Sequence, residues 1–211
     1  MEPIPAFTIL CALLHTVSSL KCLTCTAEDW ASCLGTEATC DASVSSCVSA
    51  ISTVLTGGGK RVTKVFRSCY PTALCDKPVS FNVTTSSGHV SLKCCQTDSC
   101  NTEHVTASED RPLAKLECYG SFGVKPKCRS KVKCSASEDH CLKIGTEGRR
   151  EDGVKGCVSK SLCDVDSPAS RFIQDSLTGR RFCCKTKDCN SARPLDPSSL
   201  LILIPLSAFF L

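Results

Sequence analysis

The chain has 211 residues, 20 of them cysteine, with 25 Lys and Arg against 21 Asp and Glu and a formal net charge of +4. That length suits one ordinary domain or two small ones. Cysteine this dense belongs to disulfide scaffolds of an oxidising compartment, which excludes an ordinary cytosolic enzyme and makes nucleic acid a poor partner. Zinc, the other use of dense cysteine, fails on spacing. Cys22-x-x-Cys25 is a half-site with no matching C-x-x-C at ribbon or finger distance, and His89, His104 and His140 show no H-x(3–5)-H pattern.

The chain opens on an apolar run, residues 5–14 (PAFTILCALL), that is too short to span a bilayer as a helix. Val17 and Ser19 supply small residues at the −3 and −1 positions of a cleavage site, so residues 1–19 are expected to be a signal peptide, although its first residues lack Lys and Arg. Cleavage after Ser19 discards Cys11 and leaves an odd number of cysteines.

Residues 20–103 form a first cysteine-rich segment holding Cys22, Cys25, Cys33, Cys40, Cys47, Cys69, Cys75, Cys94, Cys95 and Cys100. Its texture is β. Alternation at Val48, Ala50 and Ser52, then Gly57-Gly58-Gly59, then residues 62–66 (VTKVF) predict one hairpin. Residues 81–85 (FNVTT) and 89–92, split by Ser86-Ser87-Gly88, predict a second. That second hairpin contains Asn82-Val83-Thr84, an N-glycosylation acceptor at Asn82. Trp30, the sole tryptophan, stands between Cys25 and Cys33 beside Glu28 and Asp29, placed either to anchor a partner or to cap its own domain.

A polar linker, residues 104–113, leads into a second segment, 114–190, with Cys118, Cys128, Cys134, Cys141, Cys157, Cys163, Cys183, Cys184 and Cys189. Aligned by cysteines, the two segments are one repeat, and the only missing member is the counterpart of Cys25, where Ser121 stands. Residues 142–144 and 154–158 flank a polar turn (TEGRREDG) and predict another hairpin. The first segment balances seven cationic against seven acidic residues, whereas residues 114–193 carry seventeen against ten. Lys125, Lys127, Arg129, Lys131 and Lys133 occupy alternate positions, so a strand there sets all five on one face. Such a stripe suits a sulfated glycan, an acidic lipid headgroup or an acidic protein, or else serves as a solvated face that deters edge pairing.

Both segments end on C-C-x-T-x-x-C-N, at 94–101 and again at 183–190. Adjacent cysteines seldom bond to each other, so the first of each pair is expected to reach back into its own segment, and the second can close the short loop onto Cys100 or Cys189. Units this small cannot live on burial alone. A bridge closing about 25 residues contributes roughly 3–4 kcal/mol on chain-entropy grounds, and one closing about five residues roughly 2 kcal/mol. The chain then runs through small residues Asn190-Ser191-Ala192 and a polar spacer into the apolar tail 200–211 (LLILIPLSAFFL). A tail of that length is short of the roughly 20 residues of a spanning helix. Small triplet, spacer and short tail together form a glycosylphosphatidylinositol (GPI) signal, with attachment at Asn190 or Ser191 and residues 191–211 removed as a propeptide.

The start L-x-C-x-x-C, the ten-cysteine order and the ending C-C-x(4)-C-N resemble the LU domain, the three-finger fold of lymphocyte antigen 6 proteins, the urokinase receptor and snake-serum phospholipase inhibitors. The resemblance covers both segments. It implies an all-β fold of two tandem disulfide-rich three-finger domains, each projecting hairpins from a bridged palm that Asn101 and Asn190 brace. It also implies the pairs Cys22–Cys47, Cys25–Cys33, Cys40–Cys69, Cys75–Cys94 and Cys95–Cys100 in the first domain. In the second it implies Cys118–Cys141, Cys134–Cys157, Cys163–Cys183 and Cys184–Cys189. Cys128 is left without its family partner, either as a buried thiol or as the link of a disulfide-bonded homodimer.

No catalytic constellation is legible: the cysteines are committed to bridges, no G-x-S-x-G occurs, and Glu138-Asp139 and Glu151-Asp152 read as solvated turn residues. No metal or cofactor is implied. The expected function is that of a GPI-anchored protein on the extracellular face of the plasma membrane, acting in adhesion or receptor modulation by protein–protein recognition. Two other readings are a secreted inhibitor of an enzyme such as a phospholipase, and a glycan binder acting through the stripe from Lys125 to Lys133.

Overall fold

In the computed structural model the described residues are 19–108, 112–121, 130–145, 154–164, 167–173 and 179–191. They hold eleven strands: β1 (Lys21–Ala27), β2 (Thr36–Thr39), β3 (Ser46–Thr56), β4 (Arg61–Tyr70), β5 (Val79–Val83), β6 (Ser86–Cys95), β7 (Leu113–Gly120), β8 (Ser130–Ser135), β9 (His140–Gly145), β10 (Lys155–Val158) and β11 (Arg180–Cys184). The helical residues among them form short 3₁₀ turns, at Thr72–Leu74, Lys160–Leu162, Pro168–Ile173 and Cys189–Ser191. Among the described residues no helix is long and apolar enough to cross a membrane.

The chain divides into two compact units that interleave along the sequence. The first takes the chain up to Ile51 with Thr63–Lys77 and Ser91–Thr106; the second takes Ser52–Val62, Pro78–Val90 and the chain from Ala107 onward.

In the first unit β1 serves two neighbours. Its start pairs antiparallel with β2, from Lys21 opposite Thr39 to Thr24 opposite Thr36, and its end pairs with β4, Cys25 opposite Arg67. Five disulfides fasten these strands: Cys22–Cys47, Cys25–Cys33, Cys40–Cys69, Cys75–Cys94 and Cys95–Cys100. Sulfur does the work that aliphatic side chains do in larger domains. Cys22, Cys40 and Cys47 are buried at the centre with Leu20, Val44, Cys69, Cys95 and Cys100 packed around them, and Cys22 Sγ lies 3.2 Å from Cys40 Sγ.

The second unit repeats the scheme. The hairpin β7–β8 sets Glu117 opposite Lys133 and Tyr119 opposite Lys131, with an irregularity between Leu113 and Glu117. Strand β9 is flanked by β10 and β11, Cys141 lying opposite both Cys157 and Cys184. Its bridges are Cys118–Cys141, Cys134–Cys157, Cys163–Cys183 and Cys184–Cys189. Cys118, Cys134, Cys141 and Cys157 are fully buried, with Ala114, Leu116, Val132, Cys184 and Cys189 packed against them; Leu142, Ile144, Val158 and Leu162 are buried as well.

One expected turn is displaced. Ser86, Ser87 and Gly88 belong to β6, and the reversal is made by Thr84 and Thr85 between β5 and β6. Gly88 sits opposite Phe81, and a Cβ there would lie 2.4 Å from the Phe81 ring. The glycine makes room for a buried aromatic rather than for a turn. The reversal expected at 146–153 lies outside the described residues.

Candidate recognition surface

The frame that presents the hairpins is closed in the same way in both repeats. Asn101 is buried; its Oδ1 accepts from Leu23 N at 3.0 Å, and its Nδ2 donates to Leu23 O at 2.9 Å and Val48 O at 3.0 Å. Asn190 does likewise, accepting from Tyr119 N at 3.0 Å and donating to Tyr119 O at 2.9 Å and Leu142 O at 2.8 Å. A carboxamide fits because it alone offers an acceptor and two donors on one short planar group. The five-residue bridges Cys95–Cys100 and Cys184–Cys189 force the residue before the last cysteine into left-handed backbone, with φ 52° at Ser99 and 59° at Asp188. In return Ser99 N donates to Lys21 O at 2.7 Å and Asp188 N to Glu117 O at 3.1 Å, tying each ending to the first strand of its repeat.

Trp30 is half-buried and serves its own unit. Its Nε1 donates to Val105 O at 3.1 Å, its ring stacks on His104 with centroids 5.3 Å apart, and the Arg67 guanidinium lies 5.3 Å from its centroid. Arg67 is itself buried, donating from Nη1 to Cys33 O and from Nη2 to Thr102 O, both at 2.7 Å. Together these side chains clamp the segment 102–105 against the loop closed by Cys25–Cys33. Arg67 and His104 gave no sign of this role in the sequence, since neither stands near Trp30 along the chain.

Of the five-residue cationic stripe, Lys131 and Lys133 are described, and both are exposed on β8 while Val132 and Cys134 turn inward. Carboxylates already face them. Lys131 Nζ lies 2.7 Å from Asp188 Oδ2 and 5.7 Å from the Tyr119 ring centroid, and Lys133 pairs across the strands with Glu117. Glu117 in turn is 2.8 Å from Lys187 Nζ. The Lys187 hydrogen bond is the chief reason that the Glu117 carboxyl titrates below the usual range, with Lys131 and Lys133 adding to it; the Asp188 bond holds the Lys131 ammonium above its own. Lys125, Lys127 and Arg129, like Cys128, lie outside the described residues, as do residues 1–18 and 192–211.

Asn82 is half-buried on β5, and its Nδ2 donates to Lys133 O at 3.3 Å. Large apolar side chains exposed among the described residues are Leu34, Leu113, Leu55, Phe182 and Val62. Leu55 and Val62 stand at the end of the β3–β4 hairpin, either side of Gly57-Gly58-Gly59 and next to exposed Lys60 and Arg61. The signal in the sequence was there to be read: from 42 to 75 no acidic residue occurs, while Lys60, Arg61, Lys64 and Arg67 do.

Comparison with known proteins bears on the two halves separately. Residues 18–103 match the u-PAR/Ly-6 domain, and residues 116–190 match the snake toxin and toxin-like protein family. The first repeat is thus a u-PAR/Ly-6 domain and the second a snake toxin-like domain, two three-finger domains in tandem. It is 30% identical over 107 residues to the urokinase plasminogen activator surface receptor of Bos taurus, a match that takes in 47% of this chain and 32% of that receptor. The matched stretch thus spans about a third of that relative's length. Domains of these families are in general binding modules rather than enzymes, and the tandem three-finger architecture of this chain is theirs.

Proposed function

We propose that this chain is a cell-surface recognition protein that grips an extracellular protein partner through its hairpin tips. The observation that supports this above all is the end of the β3–β4 hairpin, where Leu55 and Val62 are exposed beside Lys60 and Arg61. Apolar side chains at a turn cost solubility and are kept where a partner covers them; cations beside them supply orientation and a faster encounter. Five bridges fasten the repeat that carries that hairpin, so little ordering entropy is spent on binding. The family reading and the receptor relative agree with a place at the cell surface.

The finer organisation belongs to the same proposal. A signal peptide at 1–19 is removed, repeats at 20–103 and 114–190 are joined by 104–113, and a GPI lipid replaces the apolar tail. Between the two candidate attachment residues the Asn190 side chain is buried with three hydrogen bonds, which favours Ser191 as the acceptor. Asn82 carries a glycan, its remaining amide hydrogen still free to donate to Lys133 O. A secreted inhibitor is the reading to which the tail 200–211 is opposed, because a plasma inhibitor needs no anchor signal.

Phosphatidylinositol-specific phospholipase C applied to cells expressing the full chain tests the anchor: release into the medium is expected, and a lipase-insensitive or wholly secreted pool would overturn it. Recognition is tested with the released protein on cell panels. Leu55→Ser with Val62→Ser is expected to abolish staining that the parent chain gives, and undiminished staining would move the contact away from this tip.

A further inference from the structure

Strand β5 and the first half of β6 (Pro78–Val90) belong by sequence to the first repeat, yet they lie in the second compact unit, where β5 pairs with β10 of the second repeat. The register runs Val83 opposite Gly156, Asn82 opposite Cys157 and Phe81 opposite Val158, and continues as Ser159 N donates to Ser80 O at 2.9 Å. On its other edge β5 pairs with β6, so it is an interior strand. Its burial agrees: Val79, Ser80, Phe81 and Val83 are all buried and only Asn82 is partly open. An exposed recognition finger would show one wet face instead.

The face of β5 that carries Ser80 and Asn82, and the backbone beside it, are seated by the second repeat. Ser80 N donates to Ser159 Oγ at 3.0 Å, Ser80 Oγ is 2.9 Å from Ser137 Oγ, and Ser161 Oγ donates to Pro78 O. Asn82 Nδ2 reaches Lys133 O and Thr84 Oγ1 reaches Ser130 Oγ. Two glycines mark where the hairpin lands. A Cβ on Gly156 would lie 2.2 Å from Asn82 O and 2.9 Å from Val83 Cα; one on Gly120 would lie 2.5 Å from Thr84 Oγ1. These contacts are with backbone and with a short side chain, so no rotamer change relieves the first of them.

We infer that the third hairpin of the first repeat is a strand donor that completes the sheet of the second repeat, and that Gly156 is the residue which admits it. The edge of β10 is therefore an interaction site whose occupant is this chain's own segment 78–84. Left bare, that edge would expose a row of unpaired N–H and C=O groups, and buried β10 and β5 would both lose their cover. The repeats then fold as a coupled pair, and the third hairpin of the first repeat is withdrawn from partner recognition.

The test is hydrogen exchange on the full-length chain, comparing the parent with Gly156→Ala and with Gly145→Ala, a glycine around which a Cβ meets nothing within 4 Å. Gly156→Ala is expected to speed exchange roughly tenfold or more in peptides spanning 79–83 and 155–158, because interstrand bonds there open. Peptides of β1 and β4 should keep their protection, and Gly145→Ala should match the parent. Should Gly156→Ala fail to fold, Ser159→Ala removes the acceptor of the Ser80 N–H, along with a contact to Ser161 Oγ inside the second repeat, and is expected to raise exchange in the same two peptides by a few-fold. Unchanged protection of 79–83 in whichever of these variants folds would overturn the inference. So would protection of 79–83 that rises with protein concentration, which would assign the donor strand to a second copy.

Discussion

The closure of each repeat on an asparagine gives a sharp test of what holds the palm. Asn101→Ala removes one acceptor and two donors at once, leaving Leu23 N–H, Leu23 C=O and Val48 C=O without the partners they have in the native protein. A typical bond contributes about 0.5–1.5 kcal/mol net, and a buried group left unsatisfied costs about 1–3 kcal/mol. Val48 is fully buried and Leu23 partly so, which puts the expected loss at roughly 3–4 kcal/mol. That is a large share of the 5–15 kcal/mol typical of a domain. The bridges stay closed, so the variant should fold and unfold at a much lower urea midpoint with the slope unchanged. Asn101→Asp refines the measurement: it keeps an acceptor for Leu23 N but sets a carboxylate against two carbonyl oxygens, and should be at least as destabilising. Asn190→Ala should repeat the effect through Tyr119 and Leu142. A midpoint shift worth less than about 1 kcal/mol in Asn101→Ala would refute the reasoning, because three bonds at a buried site cannot be that cheap to lose.

Further outcomes follow from the other contacts. Arg67→Ala should release the sole tryptophan from its clamp, with a red shift and loss of intensity of Trp30 fluorescence; an unchanged spectrum would mean that His104 and Val105 hold the ring alone. Glu117 titrates below its ordinary range, so its pairing with Lys187 stabilises the fold above the unfolded carboxylate pKa and is lost as pH falls through the folded value. Lys131 titrates above its ordinary range, so its pairing with Asp188 is fully present below the unfolded lysine pKa and is lost as pH rises through the folded one. Lys131→Ala should therefore lower the melting temperature slightly at neutral pH, and less so in high salt; an effect that salt does not diminish would point to packing on Tyr119 instead. Lys131→Ser alone should leave elution from heparin unchanged, because Asp188 already neutralises that cation; earlier elution would show it to be an anion ligand.

What the sequence made legible was covalent or local. The repeat, the two C-C-x-T-x-x-C-N endings and the β texture are written in residue order, and resemblance supplied the nine pairs that the structure joins, which cysteine counting alone leaves open. The strands at 46–56 and 61–70 are flagged by alternation and by the glycine run between them. The rest depends on partners far along the chain. Nothing in Phe81-Asn82-Val83 tells which strand it will pair with; that is decided by Gly156, more than seventy residues later. Gly88 carried a turn signal that tertiary packing overruled, since a buried Phe81 ring occupies the space of its missing side chain. Trp30 remained open between partner anchor and internal cap until Arg67 and His104 were placed beside it.

The odd cysteine offers a last discriminating experiment. The nine bridges use eighteen of the twenty cysteines, and the other two are Cys11 and Cys128. Cys11 leaves with the leader if cleavage follows Ser19, so Cys128 is the thiol to account for. The place of its missing bonding partner is taken by Ser121, which is buried and bridged to Lys155 by Ser121 N to Lys155 O at 3.0 Å and Lys155 N to Ser121 O at 2.9 Å. A cysteine at 121 keeps those backbone bonds and changes only an oxygen to a sulfur. Ser121→Cys is expected to bond to Cys128, removing the one thiol that labels with maleimide in denaturant, and to stabilise the second repeat by about 2 kcal/mol for so short a loop. If the parent chain is instead a disulfide-linked dimer, it has no such thiol, and Ser121→Cys should turn it into a monomer on a non-reducing gel. A variant that gains a second labelled thiol would show that residue 128 does not come near residue 121, and the cysteine alignment of the two repeats would fail at that position alone.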